Sequence, residues 1–376
     1  MKIGIEAQRI FRKRKHGMDY VVLEELKMLQ KIDTVNEYVV FVKPGEDRCL
    51  QSTPRMTVVE LNCPSYPLWE QWALPRAVKQ WKVDLLHCTS NTAPIFCPVP
   101  LILTLHDIIF LEKRDKGNKS LYQNLGWFYR RWVVPAILDK CRYIITVSDF
   151  ERDNILRKLH LDPQRVVRIY NGYNTWFDER EENVEIVNRY SQGKEYFFFF
   201  GNTDPKKNTE RTLLAYAHYL QQSKKKRSLL LADFSESRLS QLLSKHHIED
   251  IRPYILLNDY IENRHLPFLY RSAFAVLYTS LRESFGIPLL EAMASGTPVI
   301  TSNTSSMPEI GGDQAALVDP CCVEAITTMM LRLETDDDYY ALQRQWGLDR
   351  ARLFSWKKTT EELLLIYQQA YNMIHQ

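Results

Sequence analysis

An α/β fold of two Rossmann-like domains is what this sequence predicts, on three observations. Short apolar runs rich in β-branched and aromatic residues alternate with longer helical patterns from one end of the chain to the other, the pattern of parallel strands with helices on both faces. The chain has 376 residues, and at roughly 100 to 200 residues per domain that length suggests two domains. Around residues 176–194 the composition turns polar and charged with little periodicity (FDEREENVEIVNRYSQGK), as expected of a surface segment between domains. The economical arrangement is domain 1–175, linker 176–194, domain 195–355 and a terminal helix 356–376, with the two domains facing across a cleft.

In chain order, the first-half strands are expected at 2–7 (KIGIEA), 37–43 (EYVVFVK), 57–62 (TVVELN), 84–90 (DLLHCTS), 100–107 (PLILTLHD), 142–148 (RYIITVS) and 166–172 (VVRIYNG). The second series is 196–202 (YFFFFGN), 228–234 (SLLLADF), 254–257 (YILL), 274–278 (FAVLY) and 297–301 (TPVIT). From Trp356 the text WKKTTEELLLIYQQAYNMI carries apolar residues at helical spacing, with a Thr available to cap its start. Between the last two strands, Pro288 suits a first helical position and Gly296 the residue past a helix end, bracketing the good helix formers LLEAMAS. Glu283 then falls in a strand-to-helix loop and Glu291 in the first helical turn. That loop lies at the carboxyl edge of the sheet, where ligands of open α/β folds bind and where a helix start offers free N–H groups to an anion.

Composition narrows the function classes. Apolar content of 45%, charged content of 25% and 20 tyrosines describe an ordered globular protein. A net charge of +3 does not mark a nucleic-acid binder. Seven cysteines, an odd number with no C-x-x-C pair, suggest neither a disulfide framework nor a zinc site and fit a reducing cytoplasm. No signal-peptide core opens the chain, and no uninterrupted apolar run reaches the ~18 residues of a membrane span. The helical spacing of Trp, Phe, Val and Leu in WFYRRWVVPAIL (127–138) reads as a core-facing helix, and KKKR (224–227) as a solvated run. Arg12 to Lys15 form the densest positive patch of the first domain, suited to an anionic membrane surface or to acceptor phosphates.

The segment ESFGIPLLEAMASGTPVITSNTSSMPEIGGDQAALVDP, Glu283 to Pro320, closely resembles the hallmark region of retaining glycosyltransferases of the family 4 or "group 1" type, which have the two-domain GT-B fold. The shared pattern is Glu, seven residues, Glu, with Phe-Gly before a Pro and Gly-Thr-Pro-Val after. Other stretches match in order: TLHDIIF with His106 and Asp107, TVSDFERDNI with the helix-capping Ser148, YNGYN at Tyr170 to Asn174, and GNTDPKKN at Gly201 to Asn208. Two positions depart from the pattern. Asn202 stands where relatives often carry arginine, and Gly17 is the single glycine of the loop after the first strand.

This resemblance implies transfer of a hexosyl group from a nucleoside diphosphate sugar, GDP- or UDP-linked, to a hydroxyl of a glycan or polyprenyl-linked acceptor, with retention at the anomeric carbon. It places His106, Asp107 and Glu283 at the transferred sugar. Gly17, Lys207, Phe285, Gly286 and Ile287 fall at the diphosphate, and Gly201, Asn202, Tyr260, Ile261 and Glu291 at the nucleotide. Lys207 neutralises the departing diphosphate, a charge that grows in the transition state. No cofactor and no metal are expected, because no Asp-x-Asp stands at a strand end of the second domain and Asp336 to Asp338 fall in a helical region. The resemblance favours GDP-mannose or a related hexose donor, surface polysaccharide or glycoconjugate synthesis, and a cytoplasmic location at the inner face of the membrane. Two other readings are a nucleotide-sugar epimerase of the same architecture, betrayed by epimerised donor without acceptor, and a catalytically silent binding relative, betrayed by lost nucleotide binding.

Overall fold

The computed structural model describes residues 1–13, 15–111, 121–178 and 182–375, in two compact units: Met1–Gly172 with Trp356–Gln376, and Tyr173–Ser355. The first unit is built on a seven-stranded sheet in the order β3-β2-β1-β4-β5-β6-β7, its strands being β1 Lys2–Glu6, β2 Glu37–Val42, β3 Met56–Glu60, β4 Leu85–Cys88, β5 Leu101–Thr104, β6 Cys141–Thr146 and β7 Val166–Arg168. The second carries six strands in the order β10-β9-β8-β11-β12-β13: β8 Tyr196–Phe200, β9 Ser228–Ala232, β10 Ile255–Asn258, β11 Ala275–Tyr278, β12 Val299–Ser302 and β13 Ala316–Val318. Every strand pair is parallel. The strands are apolar on both faces because helices cover both, as Phe197, Phe198 and Phe199 show at 0 to 2% exposure. In each sheet the winding direction reverses at one pair, β1/β4 in the first and β8/β11 in the second. Ligand crevices form at such switch points, beyond the carboxyl ends of the strands.

The last helix, Trp356–His375, belongs to the first unit. Leu363, Ile366, Tyr367 and Ala370 pack into the cluster around Ile3, Tyr38 and Leu85. Tyr367 reaches Nδ1 of the buried His87 at 2.7 Å, and the other ring nitrogen meets the Thr104 hydroxyl at 2.8 Å. Thr359 lies inside this helix rather than at its cap, and donates to the Tyr170 carbonyl at 2.7 Å.

Four sequence expectations change. Strand β13 has only three residues and escapes a pattern search. The polar stretch 176–194 contains a helix, Val184–Ser191, capped by the Asn183 side chain and anchored where the Tyr190 hydroxyl meets His265 at 2.8 Å. Arg227 is not a solvated member of KKKR: its side chain is 10% exposed, binds Glu334 at 2.9 Å and lies 3.7 Å over the Phe274 ring. The helix Leu121–Leu138 buries Val133, Val134, Ile137 and Leu138 but leaves Leu125, Phe128 and Trp132 exposed, so it is only half a core helix.

Candidate functional site

In the second unit the loops after β8, β11, β12 and β13 are tied to one another at the carboxyl edge. The backbone N–H of Leu281 donates to the Lys206 carbonyl at 2.7 Å. Asn208, left-handed at φ 59°, donates its side-chain amide to the carbonyls of Thr279 and Pro320. Ser305 accepts from the Glu283 N–H, and Ser306 donates to the carbonyls of Glu283 and Phe285. The loop that carries Glu283 is thereby held from both sides.

On this scaffold Lys207, from the 3₁₀ turn Pro205–Lys207, meets Glu283 in an ion pair of 2.6 Å with side chains 24% and 12% exposed. The Tyr278 hydroxyl hydrogen-bonds the same carboxylate, and burial drives its pKa far up. Gly286 follows at φ +106°, a backbone state reserved for glycine, and a Cβ there would lie 2.6 Å from the Met307 methyl. It starts the helix Ile287–Ala294, which has no side-chain cap among the described residues; Pro288 carries no N–H, and the Leu289 N–H donates to the Gly286 carbonyl at 3.0 Å. Gly201 is required sterically, since a Cβ would approach Leu231 at 2.7 Å, and the Asn202 backbone closes a ring with the Thr209 hydroxyl. Tyr260 and Ile261 follow β10 on the same edge, the tyrosine exposed and the isoleucine buried.

Glu291 is the fifth residue of its helix and sits in the second turn, not the first. Burial raises its carboxyl to about 8, and no hydrogen bond reaches that carboxyl among the described residues. The neighbouring Tyr270 hydroxyl is also buried without a hydrogen-bond partner, and the Glu291 charge adds to the rise in its pKa that burial begins. Tyr270 is thus a buried hydroxyl without a hydrogen-bond partner beside a half-buried carboxyl that has none among the described residues, and only the first carries the full cost of an unmet polar group.

In the first unit His106 and Asp107 follow β5. His106 is buried, accepts nothing at Nε2, and donates from that nitrogen to the Thr89 carbonyl at 3.0 Å, while its backbone N–H is held by Asn91 at 2.7 Å. The bond fixes the tautomer with the proton on Nε2 and the lone pair on Nδ1. Burial keeps the ring below its ordinary pKa, with Arg9 acting in the same direction. Asp107 closes a turn by accepting from the Ile109 N–H. Gly17 is the first residue of the helix Gly17–Ile32, and a Cβ there would meet nothing within 4 Å, so packing does not demand this glycine. The same helix start carries buried Asp19, 3.5 Å from Arg9.

The sequence of the second unit matches the family model described as "Glycosyl transferases group 1" over residues 180–348, and that of the first matches "Glycosyltransferase Family 4" over residues 17–177. A curated relative, O-antigen chain mannosyltransferase B of Escherichia coli, is 31% identical over 275 residues, 71% of this chain and 70% of that protein. The chain belongs to the group 1, family 4 glycosyltransferases. O-antigen chain mannosyltransferase RfbU of Salmonella typhimurium is 27% identical, across 67% of this chain and 66% of its own length. A serotype-specific mannosyltransferase of Escherichia coli matches at 24% identity, and this chain spans only 32% of it. Among solved structures, sucrose-phosphate synthase from Thermosynechococcus elongatus superposes with a TM-score of 0.73 at 18% identity, covering 99% of both chains. Anabaena HepE in complex with UDP and glucose gives 0.72 at 16% identity, covering 98% of this chain and 99% of that one. Those likenesses establish the GT-B fold of this glycosyltransferase.

Sequence reasoning missed a second polar centre of the glycosyltransferase. Glu70 is fully buried in the first unit, where Tyr66, Thr92, Gln71 and Tyr129 all donate to its carboxylate, and burial raises its pKa. Beside it opens a cavity of about 830 Å³ at the carboxyl ends of β1, β2 and β3, walled by Phe11, Tyr66, Phe128 and Tyr129, with Arg12 and Lys43 at its margin. The only sequence signal was the pair of Tyr-containing aromatic runs, YPLWEQW and WFYRRW, far apart in the chain. The basic loop is less positive than its sequence: Lys15 is buried against Asp47, Lys13 pairs with Glu46 at 3.7 Å, and Arg14 lies outside the described residues. No three His, Cys, Asp or Glu side chains converge as a ligand set for a metal among the described residues.

Proposed function

We propose that this glycosyltransferase moves a hexosyl group, mannosyl by analogy with its O-antigen relatives, from a nucleoside diphosphate sugar to a hydroxyl of a glycan or lipid-linked acceptor in surface polysaccharide synthesis. The observation that carries the reading is the Lys207–Glu283 pair at 2.6 Å, set between the β8 and β11 loops at the switch point and next to the uncapped helix start at Gly286. A diphosphate seated there meets a cation and the positive end of a helix, and the sugar beyond it meets a carboxylate that accepts hydroxyl hydrogen bonds. Phe285, Gly286 and Ile287 offer the backbone, Gly201 lets the nucleotide approach, and Asn202, Tyr260 and Ile261 flank it. Glu291 and Tyr270, neither hydrogen-bonded through its side chain among the described residues, suit the ribose diol.

In the first unit Gly17 would face the donor phosphates, while His106 presents its Nδ1 lone pair to a sugar hydroxyl and Asp107 backs it. The acceptor enters the first unit, where the 830 Å³ cavity offers aromatic walls for a sugar or an isoprenoid and two cations for phosphate. Transfer with retention is read as front-face displacement: the acceptor oxygen bonds to the anomeric carbon on the face from which the diphosphate oxygen departs, and the acceptor proton passes to that oxygen. Lys207 holds the developing charge, so no divalent metal is needed and no cofactor takes part. The test is mass spectrometry of products from a panel of GDP- and UDP-hexoses with lipid-linked glycan acceptors. Hexosylated acceptor with α-retention supports the reading, and epimerised donor without acceptor product sinks it.

A further inference from the structure

The cavity of about 830 Å³ in the first unit has walls that are fixed by the fold itself. One wall is made of the loops after β1 and β2, which backbone bonds hold together: the Lys43 N–H donates to the Gln8 carbonyl and the Asp47 N–H to the Phe11 carbonyl, each at 3.1 Å. Gly45 permits this approach, since a Cβ there would lie 2.2 Å from the Phe11 carbonyl oxygen. The other wall is aromatic. Tyr66 and Tyr129 meet edge to face, with ring centres 5.7 Å apart and planes at 80°, and both hydroxyls donate to the buried Glu70. Their donors are therefore taken, and what the two tyrosines offer the cavity is ring surface.

One buried polar side chain of the lining has nothing to bond. Gln8 is 5% exposed, and among the described residues no hydrogen bond reaches its side-chain amide. The neighbouring polar groups are already occupied. Glu6 accepts from the N–H groups of Gln8 and Thr89, Glu70 from its four donors, and the Ser65 hydroxyl from the Leu68 N–H. Arg12 and Lys43 are exposed at the margin. Enclosing the Gln8 amide without a partner is costly, so the cavity selects its occupant by what that occupant gives Gln8. A side-chain amide sets an acceptor beside a donor, the complement of two neighbouring hydroxyls. A pyranose carries such a pair, together with a C–H face that suits the negative face of an aromatic ring. An isoprenoid chain covers the rings and leaves the amide unmet. We propose that Gln8 binds a vicinal pair of hydroxyls on a pyranose of the acceptor glycan, with the sugar lying against the Tyr66 and Tyr129 rings. Gln8 is then a specificity-determining residue and Glu70 a positioning residue that holds the walls. The assignment rests on the reading of the chain as a transferase whose acceptor enters the first unit.

Saturation-transfer NMR on the full-length protein tests the site without turnover, using the methyl glycosides of mannose, glucose, galactose and N-acetylglucosamine, with farnesyl phosphate as an isoprenoid competitor. Wild type should transfer saturation to the ring protons of at least one glycoside, and farnesyl phosphate should not displace it. Gln8→Met, which keeps the length of the side chain and removes the amide, should weaken that binding about tenfold, as expected when the hydrogen bonds of one amide are lost. In transfer assays the same variant should raise the KM for glycan acceptor about tenfold while the donor KM and the turnover at saturating acceptor stay near wild type, a split that a merely structural role would not produce. If Gln8→Met fails to fold, Gln8→Asn, which draws the amide back by one carbon, must show the same split. Glycoside binding that Gln8→Met loses, in a chain that transfers no hexose, would uphold the sugar site and count against the proposed function alone. Three results overturn the proposal: a wild type that saturates no glycoside, a folded Gln8→Met with unchanged glycoside binding and acceptor KM, or farnesyl phosphate that displaces the glycoside and binds Gln8→Met more tightly than wild type.

Discussion

The loop after β11 and the helix that follows it carry two glutamates eight positions apart in opposite electrostatic states. Glu283 is paired with Lys207 and bonded by Tyr278, so its charge is compensated inside the protein. Glu291 lacks a hydrogen bond among the described residues, and burial holds its proton to a pH of about 8. On the proposed reading the two suit different tasks: the compensated carboxylate would orient sugar hydroxyls, whereas the desolvated one gains most when a ligand brings its own donors. A structural role for both, as simple complements to a helix dipole, would have left them alike.

The largest effect expected is on turnover. If Lys207 faces the leaving diphosphate as proposed, Lys207→Ala should lower turnover about 10²- to 10³-fold, the range for losing one preorganised stabiliser of developing charge. It also strands Glu283 without its partner, so Lys207→Ala should destabilise the second unit more than the double variant Lys207→Ala, Glu283→Gln, a difference that chemical denaturation reads. A smaller effect is expected at His106. His106→Ala should raise the KM for the acceptor or lower turnover by about tenfold, the loss of one hydrogen bond of ~1.4 kcal/mol, and leave nucleotide binding to the second unit unchanged.

The pH dependence sharpens the contrast between the glutamates. A carboxyl whose folded pKa is raised above its unfolded value stabilises the fold at low pH, and that contribution is lost as pH rises from about 4.5 through about 8. Wild-type stability should therefore fall relative to Glu291→Gln across this window, by ~1 kcal/mol or more after allowance for partial solvent access. Urea denaturation between pH 5 and pH 9 checks it, and parallel curves would remove the distinction. The smallest effect is expected from chelation. Excess EDTA should leave transfer unchanged if Lys207 supplies the charge, and complete loss restored by Mg²⁺ or Mn²⁺ would assign that task to a metal.

Much of the fold was legible in the sequence because buried parallel strands are continuous apolar runs. Twelve of the strands answer to such runs, and the thirteenth, Ala316–Val318, is too short to show one. The loop position of Glu283 followed from the bracketing Pro288 and Gly296, and Gly286 turned out to be the backbone hinge that the bracket requires. What could not be read was pairing across distance. Nothing local in GNTDPKKN says that Lys207 will meet Glu283, and nothing in YPLWEQW says that Glu70 will be buried under four donors. The basic loop misled for the same reason, since Glu46 and Asp47 neutralise it from the far side of β2. The helix Leu121–Leu138 misled because periodicity gives the stripe and not which side of it the core takes.

The central claim is that Glu291 holds the nucleotide and Glu283 the sugar, and calorimetry with GDP and UDP on wild type, Glu291→Ala and Glu283→Ala tests it most directly. Loss of the hydrogen bonds between its carboxyl and the ribose diol predicts that Glu291→Ala weakens nucleoside diphosphate binding by about 0.5 to 1.5 kcal/mol for each bond. Glu283→Ala should bind free nucleotide nearly as wild type and fail only in transfer, because the partner of its carboxylate is the sugar that these ligands lack. Equal losses in the two variants, or a larger loss in Glu283→Ala, would contradict the division of labour and return both glutamates to a shared structural role.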